Sequence, residues 1–174
     1  MNKIKLIGKS LKELESFCIS NGFPKFRGIQ IYKWLYQKSV VNLKDMTNIP
    51  KSLISEIHEN CIISDLKIEK KQSSSTDNTT KFLLKTSDNN FIECVSMIDG
   101  NRHTICISSQ IGCSVDCDFC ATGKMGIIRN LDTSEILNQI LIIKNNISER
   151  ITNIVFMGMG EPFLNYNNVI NSCK

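Results

Sequence analysis

No stretch of this chain approaches the ~18 consecutive apolar residues of a membrane-spanning helix. The longest candidate, ILNQILIIKNNI, is cut by Asn138, Gln139 and Lys144. The N-terminus, MNKIKLIGKSLKELES, is basic, but charges return before a secretory apolar core could form. Charge of one sign is lacking as well: a net +4 over 174 residues permits a polyanionic partner without demanding one. Internal repeats are absent, which excludes a solenoid or propeller. What remains is an ordinary globular composition, 41% hydrophobic and 22% charged. The expectation is a cytoplasmic protein whose thiols stay reduced, where clustered cysteines point to a metal or to catalysis more than to disulfides.

Local signals divide the chain. Ser10 and Glu13 stand in the capping-box relation, Leu11, Leu14, Phe17 and Cys18 follow at helical spacing, and Asn21-Gly22 marks a stop. Pro24 suits the first turn of a second helix, PKFRGIQIYKWLYQK, and Pro50 that of a third, with Leu53, Ile54, Ile57 and Cys61 on one stripe. Residues 1–62 therefore read as a small helical module. In residues 63–100, DLKIEK, KFLLKT and NFIECVSMI read as strands, separated by the polar QSSSTDNTT and the turn SDNN. Residues 101–174 run strand 103–109, loop, helix 132–147 capped by Asp132 and Glu135, and strand 153–157. That order is a β-α-β unit with parallel strands. The fold class is α/β, and ligands of such barrels bind at the C-terminal ends of the strands.

Two unusual segments fall at those ends. In CISSQIGCSVDCDFCATGKMG, Cys113, Cys117 and Cys120 are spaced C-x-x-x-C-x-x-C, with Cys106 set apart upstream. Thiolates suit zinc, copper(I) and iron–sulfur clusters. A structural zinc site needs a fourth ligand, from His103, Cys106 or His58, and the second C-x-x-C pair common in zinc loops is missing. Reduced thiols filling a core are a second reading, which Asp116 and Asp118 disfavour. The third is an iron–sulfur cluster with one iron left open, since a closed four-iron cluster takes four cysteines. The other segment is MGMGEP: Gly158 and Gly160 allow a close backbone approach to a ligand, Glu161 offers a carboxylate, and Pro162 fixes the turn.

Phe119 before the last cysteine completes C-x-x-x-C-x-[FWY]-C, the pattern of radical S-adenosylmethionine (SAM) enzymes, which this sequence resembles. The resemblance implies that Cys113, Cys117 and Cys120 bind three irons of a [4Fe-4S] cluster. It implies that SAM chelates the fourth iron, with Gly160 and Glu161 near its amino group. The resemblance is specific. CISSQIGCSVDCDFCATGKMGIIRNLDTSEILNQI, NIVFMGMGEPFLNYNNV and FPKFRGIQIYKWLYQKSVVNLKDMTNIPKSL all resemble the RlmN/Cfr family of radical SAM RNA methyltransferases, the RlmN branch more closely.

That family implies a partial (β/α)6 barrel behind an N-terminal RNA-binding module. It implies methylation of adenine C2 in 23S rRNA, and of the adenine beside the tRNA anticodon, with a flavodoxin or ferredoxin as electron donor. By the same resemblance Cys106 is the resolving cysteine that releases product from a methyl-bearing cysteine, and Glu93 the proton acceptor. From the residues alone, Cys106 reads equally well as structural, and strand alternation could turn Glu93 to solvent. The basic and aromatic side chains of KFRGIQIYKWLYQK could hold RNA or pack the module. Relatives in the family run about twice as far, and Cys173 does not match the methyl-bearing cysteine. A truncated chain, inactive alone and with uncovered strand edges, is expected. The rival readings are a Cfr-like adenine C8 methyltransferase and a noncatalytic RNA- or zinc-binding module.

Overall fold

Helix α1 (Leu11–Ser20) begins where its capping box predicts. Ser10 Oγ accepts the Glu13 N–H, and the Glu13 carboxylate accepts the Ser10 N–H at 2.8 Å, so two orphan donors of the helix start are satisfied reciprocally. This is a computed structural model, and it describes residues 3–40 and 42–174. Helix α2 (Phe26–Tyr32) packs on α1 at Gly28, where a Cβ would overlap the Leu14–Glu15 backbone. It runs into a π-helical turn, Lys33–Gln37, that the apolar spacing does not reveal. The turn buries Trp34 and Leu35; the Trp34 indole donates to Asn48 Oδ1 at 2.6 Å. Helix α3 (Lys51–Asn60) follows Pro50, which stands at the N-cap instead of in the first turn. Two strands missed by the sequence reading, β1 (Ile4–Lys5) and β2 (Cys61–Ile62), pair in parallel. Each has two residues, too short for any alternation to show.

The contact pattern divides the chain after Ser64. The second unit holds β3 (Lys67–Ser73), β4 (Asn78–Lys85), β5 (Phe91–Asp99) and β6 (Arg102–Cys106). A short hairpin of β7 (Gln110–Gly112) and β8 (Ile127–Asn130) follows, then helix α4 (Thr133–Asn146), strand β9 (Asn153–Val155) and helix α5 (Tyr166–Ser172). One sheet has the order β3-β4-β5-β6-β9, antiparallel except for the parallel pair β6/β9 that α4 bridges. The predicted strand 103–109 is shorter than expected: β6 ends at Cys106, Ile107 still bonds Val155 and Gly158, and the hairpin begins at Gln110.

Cross-strand partners point to the same side of a sheet, so the register sorts side chains by face. One face carries Phe82, Leu84, Ile92, Cys94 and Ile105, all buried in one cluster with Ile136 and Ile143 of α4. The other carries Leu83, Glu93, Val95, Thr104 and Cys106. Asp132 and Glu135 cap α4 as expected. Gln139, fully buried, accepts the Ser108 N–H at 2.8 Å and donates to the Ser108 carbonyl at 2.9 Å, fastening helix to strand end. Among the described residues no helix is long and apolar enough to cross a membrane.

Candidate functional site

The cysteine loop hangs from the β7/β8 hairpin. Cys113 directly follows β7, and its N–H donates to the Gly126 carbonyl at 3.1 Å across the neck. Gly112, at φ +74, leaves no room for a side chain, because a Cβ there would overlap that same carbonyl oxygen. Beyond the neck, Cys113 is buried and Cys117 and Cys120 are half-buried. Backbone N–H groups serve the sulfurs: Val115 donates to Cys113 Sγ at 3.4 Å. The N–H groups of Gly123 and Thr122 hold the Cys120 thiol below its ordinary pKa. A thiol biased toward thiolate is what a soft metal or iron–sulfur cluster requires. The fit is one of donor chemistry on a single loop. Among the described residues no three His, Cys, Asp or Glu side chains are gathered closely enough to hold a metal ion. Phe119 is 93% exposed, and Met157 and Phe163 are 79% exposed, so apolar side chains line this end of the strands in the open.

A clamp that the sequence reading missed secures the hairpin. Arg129 of β8 donates to both oxygens of Asp88, at 2.8 and 3.0 Å, and to both of Glu135, at 2.8 and 2.7 Å. It thereby ties the returning strand to the β4–β5 turn and to the cap of α4. Arg129 and Thr86 hold the Asp88 carboxyl well below the usual carboxylate range. A depressed folded-state pKa contributes stability that is present above the unfolded value and lost as pH falls through the folded one. Urea titrations are therefore expected to show wild-type stability declining below about pH 4, and Asp88→Asn removing part of that slope.

The glycine turn packs against the base of the same hairpin. Gln110, buried, accepts the Glu161 N–H at 2.9 Å and donates to Asn130 Oδ1 at 2.7 Å. Asn165, also buried, donates to the carbonyls of Ser109 and Leu131 at 2.8 and 2.6 Å. These amides join β7, β8 and the turn into one unit. The reason for the glycines differs from the one expected. A Cβ on Gly158 would meet Ile107 and Ser108, and one on Gly160 (φ +94) would overlap Gln110. The close approach they permit is therefore to the chain itself. One Glu161 carboxylate oxygen accepts the Phe163 N–H at 3.0 Å, capping the short 3-10 helix Pro162–Asn165. A buried glutamine in SSQIG was the available sequence signal for this joint, since a buried amide demands partners.

Cys106 and Glu93 share a sheet face. Cys106 pairs with Val95, two residues along β5 from Glu93, so the two are diagonal neighbours at the sheet end where β6 and β9 terminate. Such neighbours lie about 7–8 Å apart. Glu93 is partly exposed and ion-paired with Lys81 at 2.9 Å, so strand alternation does turn it toward solvent. Burial raises the Cys106 thiol pKa, opposed by a bond from the Met157 backbone. Cys94, on the other face, is pushed by burial up to about 12. His103 also lies on the other face, buried between Ser96 Oγ at 2.7 Å and the Glu149 carbonyl at 3.1 Å. With both ring nitrogens engaged, it is a poor fourth ligand for the cysteine loop.

Comparison with known proteins adds to this geometry. Residues 4–63 match the ribosomal RNA large subunit methyltransferase N-terminal domain, and residues 107–171 match the radical SAM superfamily. The dual-specificity RNA methyltransferase RlmN of Geotalea uraniireducens is 42% identical over all 174 residues, which is 50% of that protein. A probable dual-specificity RNA methyltransferase RlmN of Pseudothermotoga lettingae is 50% identical over 153 residues, 88% of this chain and 45% of that protein. A crystal structure of a radical SAM methyltransferase from Sphaerobacter thermophilus superposes with a TM-score of 0.93 at 36% identity, over 98% of this chain and 51% of that one. The chain spans about half the length of the curated relatives it matches.

Proposed function

The chain belongs to the RlmN/Cfr family of radical SAM RNA methyltransferases, and from that premise we propose that it supplies the cluster site and part of the catalytic face of an adenine C2 methyltransferase. Its substrates in this reading are 23S rRNA, at an adenine of the peptidyl-transferase region, and the adenine beside the tRNA anticodon. It acts in the cytoplasm with a flavodoxin or ferredoxin as reductant. Cys113, Cys117 and Cys120 would hold the [4Fe-4S] cluster, and the turn at Gly160 and Glu161 would receive SAM. When bound, the reduced cluster and SAM supply a carbon-centred radical by one-electron cleavage of the sulfonium.

The observation that carries the reading is the shared face of Glu93 and Cys106, with the Cys106 thiol bonded by the Met157 backbone at the start of the glycine turn. Methylation at C2 removes the ring hydrogen as a proton, and Glu93, ion-paired with Lys81 at 2.9 Å, would be the base that accepts it. Cys106 would form an S–S bond to the methyl-carrying cysteine as that residue's bond to the product carbon breaks. Its burial keeps the thiol protonated until that step, which protects it from oxidation. Cys173 follows α5 in solvent and does not match the family's methyl-carrying cysteine. The 174-residue chain alone is thus expected to transfer no methyl group.

Anaerobic reconstitution with iron and sulfide tests the cluster. The expected product is a brown protein whose paramagnetic resonance spectrum, once reduced, changes on adding SAM. A colourless protein with one equivalent of zinc would overturn it in favour of a zinc module. For the position of methylation, RNA modified by a protein carrying this chain is expected to show C2-methyladenine by mass spectrometry. A methyl on C8 would assign it to the Cfr branch instead.

A further inference from the structure

The excess basic charge of the chain is unevenly divided. Residues 1–64 hold ten Lys and Arg against five Asp and Glu, whereas residues 65–174 hold eleven against twelve. A cationic surface in the larger unit must therefore come from arrangement, and β3 and β4 contain one. Lys67 pairs with Lys85, Lys70 with Leu83, and Leu83 with Glu93. This register puts Lys67, Lys70, Lys81 and Lys85 on the same face as Glu93 and Cys106. A β-bulge between Ile68 and Lys70 produces the alignment. Without it Lys70 would sit opposite Phe82, on the core side; the one extra residue resets the alternation.

Like charges directly opposite each other destabilise a sheet unless an anion lies between them. Lys67 and Lys85 stand in that relation. Among the described residues the ion pair on this face is Lys81–Glu93, and none holds Lys67, Lys70 or Lys85. Phe91, opposite Lys85 and on the same face, is 42% exposed, with the Lys85 ammonium 5.9 Å from its ring centroid. An exposed ring set among lysines on an open sheet face combines the two elements that hold unpaired nucleic acid: cations for phosphates and a platform for a base.

We infer that this face is a track for the phosphodiester backbone of single-stranded RNA, with Phe91 stacking one unpaired base, and that it leads the substrate to Glu93 and Cys106. The inference rests on the RNA reading above and assigns the residues that would hold the strand. It is tested by fluorescence anisotropy of a fluorescein-labelled RNA stem–loop titrated with the chain over a series of salt concentrations. Removing Lys67, Lys70 and Lys85 together as glutamines is expected to weaken binding at low salt by about tenfold or more. The slope of log K against log salt should fall by about 2, since each single-strand phosphate contact contributes ~0.7. Phe91→Ala should weaken binding by about fivefold with the slope unchanged. Lys71→Gln is the control: Lys71 lies on the opposite face of β3, its ammonium 5.5 Å from the Phe82 ring centroid, and its loss should leave the slope as in wild type. A triple variant with wild-type affinity and slope overturns the inference while leaving RNA binding, and the reading it rests on, intact. Equal loss in Lys71→Gln and the triple variant also overturns it, because charge alone and not this face would then matter. Absence of RNA binding by the wild type overturns both, whatever the outcome of cluster reconstitution.

Discussion

Cys117→Ala is expected to strip reconstituted protein of most of its iron and to lower reductive SAM cleavage by at least about 100-fold, whereas Cys106→Ala leaves both near wild type. The contrast follows from where the sulfurs sit. Cys117 lies on the loop between β7 and β8, half-buried and outside the main sheet. Cys106 lies in a strand of the main sheet, paired with Val95 and Val155, and cannot join that loop without breaking its ladder. Iron and acid-labile sulfide analysis, with 5′-deoxyadenosine measured by chromatography, reads both variants. Loss of iron in Cys106→Ala equal to that in Cys117→Ala would make Cys106 a ligand and remove it as a nucleophile.

The second large effect concerns the neck of the loop. Gly112→Ala is expected to destabilise the protein by about 4 kcal/mol or more, in the range reserved for severe local conflict. Two causes act together: the left-handed φ of +74, and overlap of the new methyl with the Gly126 carbonyl oxygen. Both colliding groups belong to paired backbone, so neither can swing aside. Gly126→Ala separates the causes. Gly126 also has a left-handed φ, +67, but open space surrounds its missing side chain. At ψ 173 it lies in a region essentially reserved for glycine, so its substitution should cost about 1–3 kcal/mol, the backbone share alone. Chemical unfolding followed by far-ultraviolet circular dichroism measures both, and equal losses would show that sterics at the neck are unimportant.

Much of the architecture was legible because its causes are local. Ser10 with Glu13, and Asp132 with Glu135, announce helix starts within four residues, and both boxes form. Alternation in NFIECVSMI gives a strand with one buried and one open face, as found in β5. Strands of two or three residues carry no period, so β1, β2 and β7 left no signal, whereas β9 showed through the longer apolar run around it, and the π-helical turn at Lys33–Gln37 leaves no mark on apolar spacing. At the candidate site, thiols and glycines were conspicuous by type and spacing. Arg129 and Asp88 were not, because their bond joins residues 41 apart and depends on the folded turn. Glu93 shows a different limit. Its strand was read correctly, but its half-exposure and its partner Lys81 follow from a register that no single strand specifies.

The Gln110 side chain has a polarity that cannot be reversed. The Glu161 amide can only donate, so the Gln110 oxygen must face it, which leaves the Gln110 nitrogen to donate to Asn130 Oδ1. A carboxylate of the same length would keep the bond from the Glu161 amide but lose the donor that now meets Asn130 Oδ1. With Asn165, Gln110 is thus one of the ties that set whether the β7–β8 hairpin and the glycine turn shift as one body or as two.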